Sequence, residues 1–247
     1  MADREPIKSC EEMKVEPMVP ISTVSGNRLA LFGALLYLLE WAFIIPSGVR
    51  VPRPGSSADQ IAAAYTTQPS SGFALLLAGL SIVLLGRIAF MAGVRAALQE
   101  TKETRGLADF AFGAMAASVV LEVVGEVLRW TASRMAARGA DQLMVVALNE
   151  SLSGLTFTVG AALGVSILAA SLAMMLSREF PRWLAVFGLV AGAAWIAYAF
   201  NGTMTGALPK VGGLPWLAWA VWLLTTGVLL FRRAGPIFAH GQRSTDS

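Results

Sequence analysis

Six long runs of apolar residues alternate with short polar segments along this chain. At about 1.5 Å per residue, each run is long enough, or within one turn of long enough, to cross a hydrocarbon layer of about 30 Å as a helix. A helix is expected because every backbone amide inside a bilayer must find its partner within its own segment. The pattern therefore predicts an all-α polytopic membrane protein, a bundle of six transmembrane helices with short loops. The predicted spans, in a membrane domain covering residues 28–232, are residues 29–46, 73–94, 107–128, 143–176, 183–200 and 214–231.

The segments outside these spans are polar. Residues 1–27 mix acidic and basic side chains with several prolines, which predicts a disordered tail, and the same is expected of residues 233–247. The loop 47–72 differs, because Ser57 is followed three residues later by Gln60 in the pattern of a helix capping box. We expect a short surface helix to begin there.

The fourth predicted span, residues 143–176, is too long for the bilayer. Its helix would measure about 51 Å, so it must either tilt strongly or project from the outer surface. In the second case Glu150 lies at the level of the lipid headgroups. Pairs of glycines at four-residue spacing, Gly160 with Gly164 and Gly188 with Gly192, predict that the fourth and fifth helices approach their neighbours closely.

Composition and charge support the prediction of a membrane protein and also predict its orientation in the bilayer. The chain is 55% hydrophobic and 14% charged, with a mean hydropathy of +0.63. Its net charge of +3 comes from Lys and Arg spread over short loops, so no nucleic-acid partner is predicted. With both termini in the cytoplasm, only six of the 19 basic residues lie outside and Arg87 lies within a span, which satisfies the positive-inside rule. Those outer residues are Arg50, Arg53, Arg129, Arg134, Arg138 and Lys210.

The shortage of Cys and His excludes several kinds of chemistry. Cys10 is the single cysteine, and the single histidine, His240, lies in the polar tail. An internal disulfide, a His-based metal site and Ser-His or Cys-His catalysis in the spans are therefore not expected. No span contains Lys for a retinal or His for a haem, so no cofactor, no metal and no enzymatic activity are predicted.

Charged residues inside or beside the predicted spans are the hardest feature to explain as scaffold. Each costs roughly 2.5 to 3.5 kcal/mol near the bilayer centre, so lipid-facing positions for all of them are implausible. They are the candidate ligand-binding residues: Glu40, Arg87, Glu122, Glu126, Arg129 and Glu150.

The third predicted helix carries three of these charges on one face. Glu122 and Glu126 are four residues apart, and Arg129 follows Glu126 by three, within reach of an ion pair. Arg87 is expected to pair with either Glu40 or Glu122 from an adjacent helix. Two arginines against four glutamates leave about two carboxylates unmatched, and these must hold a proton, bind a cation or face water.

Tryptophans offer a second candidate feature. Trp41, Trp130, Trp183 and Trp216 fall near predicted membrane surfaces, where amphipathic rings are common. Trp216, Trp219 and Trp222 are three residues apart on the last span and are also compatible with an aromatic wall for a cation.

Three stretches carry a resemblance to a known family. The chain reads RLALFGALLYLL from Arg28, ADQIAAAYTTQPSSGFAL from Ala58 and EFPRWLAVFGLVAGAAWIAYAF from Glu179. Over most of residues 28–205 it resembles the DUF4386 family of six-span bacterial membrane proteins, whose activity is undefined. The resemblance implies a six-helix bundle in a bacterial cytoplasmic membrane and supplies no site residues.

Two functions remain open from the sequence. In the first, an outward-facing acidic cavity binds or moves a small cation, a proton or a polar ligand. In the second, the protein is a non-catalytic structural or regulatory membrane component, in which the charges only fix helix packing and the partner is another membrane protein. Both place the chain in a lipid bilayer.

Overall fold

The computed structural model describes residues 21–50, 52, 56–99, 102–177, 179–203 and 213–234. In these residues every regular element is an α-helix, so the predicted fold class is confirmed. The helices are α1 (Ile21–Leu38), α2 (Trp41–Ser47), α3 (Ala58–Thr66), α4 (Ser70–Val83), α5 (Leu85–Ala97), α6 (Lys102–Ala137), α7 (Gln142–Ser177), α8 (Arg182–Thr203) and α9 (Gly213–Arg233).

Six helical segments of the described chain are long and apolar enough to cross a membrane, which confirms the predicted number of spans. The first span contains α1 and α2, and the second contains α4 and α5. Both are interrupted by a tight turn. At the first turn the amides of Leu39, Glu40 and Ala42 donate to carbonyls three residues back rather than four. At the second turn Leu84 separates α4 from α5, and Arg87 donates to the Leu84 carbonyl in the same tight pattern.

Glycines allow the closest helix contacts. On α1, a Cβ atom added to Gly33 would lie 2.3 Å from the Phe90 amide nitrogen and 2.5 Å from the Gly86 carbonyl oxygen of α5. On α7, a Cβ atom added to Gly164 would lie 2.8 Å from the Gly192 carbonyl oxygen of α8. The close approach predicted for the fourth and fifth spans is therefore confirmed, whereas the one between α1 and α5 was not foreseen.

The third and fourth spans form a long antiparallel hairpin, α6 and α7, whose outer ends carry α3. Prediction ended the third span at residue 128, but α6 continues to Ala137. A second apolar cluster joins these outer ends to α3 and to the start of α4, with Ile61, Tyr65, Phe73, Ala132, Ala136 and Val145 buried in it. This packing covers the connected ends of the hairpin with α3, and the choice between tilt and projection stays a prediction.

The capping box that begins α3 is confirmed, because Ser57 and Gln60 exchange both hydrogen bonds. The Tyr65 hydroxyl donates to the Asn149 side chain of α7 over 3.1 Å. Burial raises the pKa of Tyr65 above its usual value, so the hydroxyl stays protonated and able to donate. The short helix is thus tied to the hairpin by both apolar and polar contacts.

The ends of the chain differ from prediction where the structure describes them. Because α1 begins at Ile21, the last part of the predicted tail 1–27 is helical. Residues 1–20 and 235–247, and with them most of the predicted disorder, lie outside the described residues.

The main core is apolar, and its largest side chains include Trp219 and Trp222, both fully buried. Their rings stack on each other with centroids 5.5 Å apart, and both contact Phe90 edge to face. The alternative of a three-tryptophan wall for a cation is therefore wrong, because Trp219 and Trp222 pack the helices together, whereas Trp216 lines a cavity of the described residues.

Candidate functional site

A cavity of about 190 Å³ lies among α1, α5, α6, α7, α8 and α9. It is bordered by five of the six charged residues that the sequence singled out: Glu40, Arg87, Glu122, Glu126 and Arg129. These side chains come from the first three spans, and uncharged side chains of α7, α8 and α9 complete the wall.

Helix breaks position two of these charges. Glu40 lies in the turn between α1 and α2, and Arg87 lies three residues after Leu84, where α4 gives way to α5. The close crossing at Gly33 and Gly86 brings these two spans together next to the cavity. The geometry of the site therefore depends on glycine contacts between α1 and α5.

Arg87 pairs with Glu122 rather than with Glu40. Its Nη2 lies 2.7 Å from Glu122 Oε2, at an angle too poor for a hydrogen bond, and it donates to the Tyr37 hydroxyl over 3.2 Å. The guanidinium also lies over the Tyr37 ring, 4.6 Å from its centroid. The Nε and Nη1 atoms of Arg87 are buried and have no hydrogen-bond partner in the described chain. Arg87 is therefore fixed in place but keeps unused donors.

Arg129 pairs with Glu126 as the spacing predicts, with Nη1 2.5 Å from Oε1. Both side chains are largely buried, and the Nε of Arg129 is another buried donor with no partner among the described residues. Glu122 is the most accessible charge of the two pairs, since its side chain keeps 24% of its surface exposed. The cavity thus contains two one-to-one ion pairs.

Glu40 is the cavity carboxylate that takes part in neither of these two ion pairs. It is 7% exposed, and Oε1 accepts a hydrogen bond from Trp216 Nε1 over 3.2 Å. The other oxygen, Oε2, is buried without a hydrogen-bond partner, and no ion pair of Glu40 occurs in the part of the chain that the structure describes. Three carboxylates and two guanidinium groups therefore leave one formal negative charge at the cavity when all are ionised.

Aromatic side chains form much of the remaining wall. Trp195 and Tyr198 of α8 meet edge to face with centroids 5.8 Å apart, and Trp216 of α9 and Tyr37 of α1 lie nearby on the same cavity. The Trp195 Nε1 is buried and has no hydrogen-bond partner in the described residues. Prediction missed Tyr37, Trp195 and Tyr198; Trp195 lies five residues from the end of the fifth predicted span, as Trp41 does in the first, so its position along the chain did not distinguish it.

Glu150 does not join this cluster. It is exposed on α7 and does not line the cavity, whereas the adjacent Asn149 is buried against Tyr65. The structure therefore places five of the six candidate residues around one cavity and leaves Glu150 outside it.

The donor set suits an organic cation better than a metal ion. No group of three or more His, Cys, Asp or Glu side chains in the described residues is arranged to hold a metal ion. A buried carboxylate that forms no ion pair of its own in the described residues, flanked by aromatic rings, is instead a combination suited to ammonium groups.

Comparisons of the chain with protein-family models, with curated proteins and with solved structures found no match.

Proposed function

We propose that the protein binds a small ligand with an organic ammonium group in this cavity, and that Glu40 supplies the counter-charge. The observation that carries the proposal is the unpaired Glu40, buried beside Trp216 with one oxygen free of hydrogen bonds. A buried carboxylate in this position must hold a proton, meet a cation or contact water. A bound cation also balances the one negative charge that the two ion pairs leave.

The aromatic wall supports an ammonium group over a bare metal ion. Calcium and magnesium take six or more oxygen ligands, whereas Glu40 is the one carboxylate of the cavity that forms no ion pair in the described residues. Trp195, Tyr198 and Trp216 contribute further aromatic rings to the cavity wall, and such rings attract ammonium ions through their quadrupoles. The unused donors of Arg87, Arg129 and Trp195 also fit acceptor oxygens elsewhere on the ligand.

The interrupted spans support a role in binding and release. In many transporters the binding site is built where membrane helices are discontinuous, because freed backbone groups and local flexibility are available there. Here the breaks at Glu40 and Leu84 lie beside the cavity in two neighbouring spans. The protein in this proposal is a carrier or receptor rather than an enzyme.

In the proposed setting, a bacterial cytoplasmic membrane, both termini lie in the cytoplasm and the cavity faces outward. The distribution of basic residues supports this orientation, since most of them flank the inner ends of the spans. The six spans agree with termini on one side.

Replacing Glu40 by Gln tests the proposal. The amide keeps an oxygen that can accept from Trp216, so the fold is retained while the charge is lost. We expect tetramethylammonium chloride to raise the melting temperature of the purified wild-type protein in neutral detergent, relative to sodium chloride at equal concentration, because ligand binding stabilises the folded state. The rise disappears in Glu40→Gln.

Glu150→Gln is the matched control, since it makes the same chemical change at an exposed carboxylate outside the cavity. It keeps the response to tetramethylammonium. An equal response in wild type and Glu40→Gln, or none in wild type, contradicts the proposal.

The second candidate function is a structural or regulatory membrane component whose charges fix helix packing. It is favoured by the one-to-one pairing of Arg87 with Glu122 and of Arg129 with Glu126. In that case Glu40→Gln changes stability without changing any ligand response, and the tagged protein purifies together with another membrane protein.

A further inference from the structure

The charge of Glu40 is not balanced by the other side chains of the cavity. Glu122 and Glu126 each form an ion pair with one arginine, so these two pairs add no net charge. Glu40 is 7% exposed and forms no ion pair among the described residues. An isolated buried carboxylate is unfavourable, because its charge loses hydration without gaining a partner. When no organic cation is bound, a proton on Glu40 removes this unfavourable charge.

The groups around Glu40 leave it as the natural proton-binding group of the cavity. The ionisable side chains that line the cavity with it, from α1, α5, α6 and α8, are Tyr37, Arg87, Glu122, Glu126, Arg129 and Tyr198. Phenol groups are neutral and guanidinium groups are charged at ordinary pH, and both of the other carboxylates already have an arginine partner. The helices α2 and α4 contain no ionisable residue, and α7 and α9 contribute only uncharged side chains to the described wall.

Arg87 is the arginine that acts on Glu40, but its charge is already matched. Arg87 favours the ionised form of Glu40, and Glu122 disfavours it. Because Arg87 Nη2 lies 2.7 Å from Glu122 Oε2, the two charges oppose each other at Glu40. The ionised form of Glu40 therefore has no cation of its own in the described chain.

Water provides a route for the proton. The cavity measures about 190 Å³, well above the roughly 10 to 15 Å³ that one water molecule needs. Solvent reaches its wall, since the Glu122 side chain keeps 24% of its surface exposed. A proton that leaves Glu40 therefore has an aqueous path out of the protein.

From these observations we infer that a proton and the organic cation compete for Glu40, so that the site exchanges one for the other. When the ammonium group arrives, the O–H bond of the protonated carboxyl group breaks, its electron pair stays on the carboxylate, and the proton passes to water. The net charge of the cavity is then the same with either occupant. This inference rests on the proposed function and adds the ion to which binding is coupled.

Tetramethylammonium is the appropriate probe, because a quaternary ion keeps its charge at every pH and releases no proton itself. Its apparent dissociation constant is obtained from the concentration dependence of the melting temperature of the full-length protein in neutral detergent. Sodium chloride at equal concentration is the reference at each pH. On the acidic side of the range from about pH 5 to pH 9, we expect binding to weaken about tenfold per pH unit, and on the alkaline side to level off.

The released protons are counted with a pH indicator in weakly buffered detergent solution that is calibrated with acid. We expect close to one proton per bound tetramethylammonium at the acidic end of the range and close to none at the alkaline end. Glu150→Gln removes an exposed carboxylate outside the cavity and releases protons as wild type does.

A measurement without ligand identifies Glu40 as the source of the proton. Glu40→Gln carries a permanently neutral side chain of similar shape, so it imitates the protonated form. A group that binds its proton more tightly in the folded state loses its stabilising effect as pH rises. We therefore expect wild type and Glu40→Gln to melt at similar temperatures at acidic pH, and wild type to melt progressively lower than the variant as pH rises.

The outcomes separate the inference from the proposed function. The inference is overturned if tetramethylammonium binds at Glu40 with the same affinity at every pH, if binding releases no proton, or if the two melting temperatures differ by a constant amount. The proposed function survives each of these results. If wild type binds no tetramethylammonium at any pH, or if Glu40→Gln binds it unchanged, the proposed function falls, and the inference falls with it.

Discussion

At the scale of single residues, the cavity shows how a membrane protein makes buried charge tolerable. Arg87 is 3% exposed, and it contacts the Glu122 carboxylate and the hydroxyl and ring of Tyr37. Removing one member of such a pair leaves the other charge buried and uncompensated, whereas removing both leaves an apolar contact. The stability of this part of the bundle therefore depends on the pair and not on either residue alone.

We predict that Arg87→Met lowers the free energy of unfolding by about 2 to 4 kcal/mol, somewhat less than for a fully buried pair because Glu122 is 24% exposed. The double variant Arg87→Met/Glu122→Met recovers most of that loss. Denaturation in detergent micelles, followed by circular dichroism, measures both effects.

The control for this prediction is on the same two helices. Arg95 and Asp109 pair at 2.5 Å, but their side chains are 40% and 45% exposed. Because exposed pairs contribute little, Arg95→Met costs at most about 1 kcal/mol. Equal losses in Arg87→Met and Arg95→Met contradict the view that burial makes the first pair important.

The sequence predicted one of these pairs and left the other open for a physical reason. Arg129 and Glu126 lie on one helix three residues apart, so helical geometry alone brings them together. The partner of Arg87 depends on which helices are neighbours, and that information is absent from spacing along the chain. The sequence therefore left open which carboxylate lacks an arginine, and among the described residues of the cavity that carboxylate is Glu40.

At the scale of helices, small residues decide which elements adjoin. Glycine spacing of four predicted that α7 and α8 approach their neighbours closely, and in the structure Gly164 and Gly192 meet between these two helices. The contact of α1 with α5 uses Gly33 and Gly86, which are not part of a four-residue repeat. This contact positions both Glu40 and Arg87, so the least predictable helix pair is also the one that builds the site.

We predict that Gly33→Ala destabilises the protein by about 1 to 3 kcal/mol, because the new Cβ would meet backbone atoms of Phe90 and Gly86 that cannot move independently. The same shift of α5 displaces Arg87, so the tetramethylammonium response also weakens. Thermal unfolding and the ligand-dependent change in melting temperature report the two effects separately.

Gly113→Ala on α6 is the appropriate comparison. No atom lies within 4 Å of its added Cβ, and alanine is favoured over glycine in a helix by up to about 1 kcal/mol. We expect this variant to be as stable as wild type or slightly more stable, with an unchanged ligand response. A loss of stability in Gly113→Ala as large as that in Gly33→Ala would mean that the α1–α5 contact does not cause the destabilisation of Gly33→Ala.

At the scale of the whole molecule, the hydropathy pattern was sufficient to predict the number of spans but not the lengths of their helices. Arg129, Arg134 and Arg138 end the apolar run of the third span, although α6 continues through Ala137. The part of α6 beyond the predicted span packs against α3, which buries Ala132 and Ala136. Helix length therefore follows from tertiary packing, which a hydropathy pattern does not contain.

The orientation of the bundle determines which side the cavity serves, and the single cysteine makes it measurable. We predict that a membrane-impermeant maleimide does not label Cys10 in intact spheroplasts and labels it after permeabilisation, because the proposed orientation places the N-terminal segment in the cytoplasm. With Cys10 replaced by serine, Ala63→Cys on the exposed face of α3 is labelled in intact spheroplasts. The opposite pattern at both positions would turn the cavity towards the cytoplasm. Its ligand would then come from the inner leaflet or the cytoplasm, although the charge requirement at Glu40 would stand.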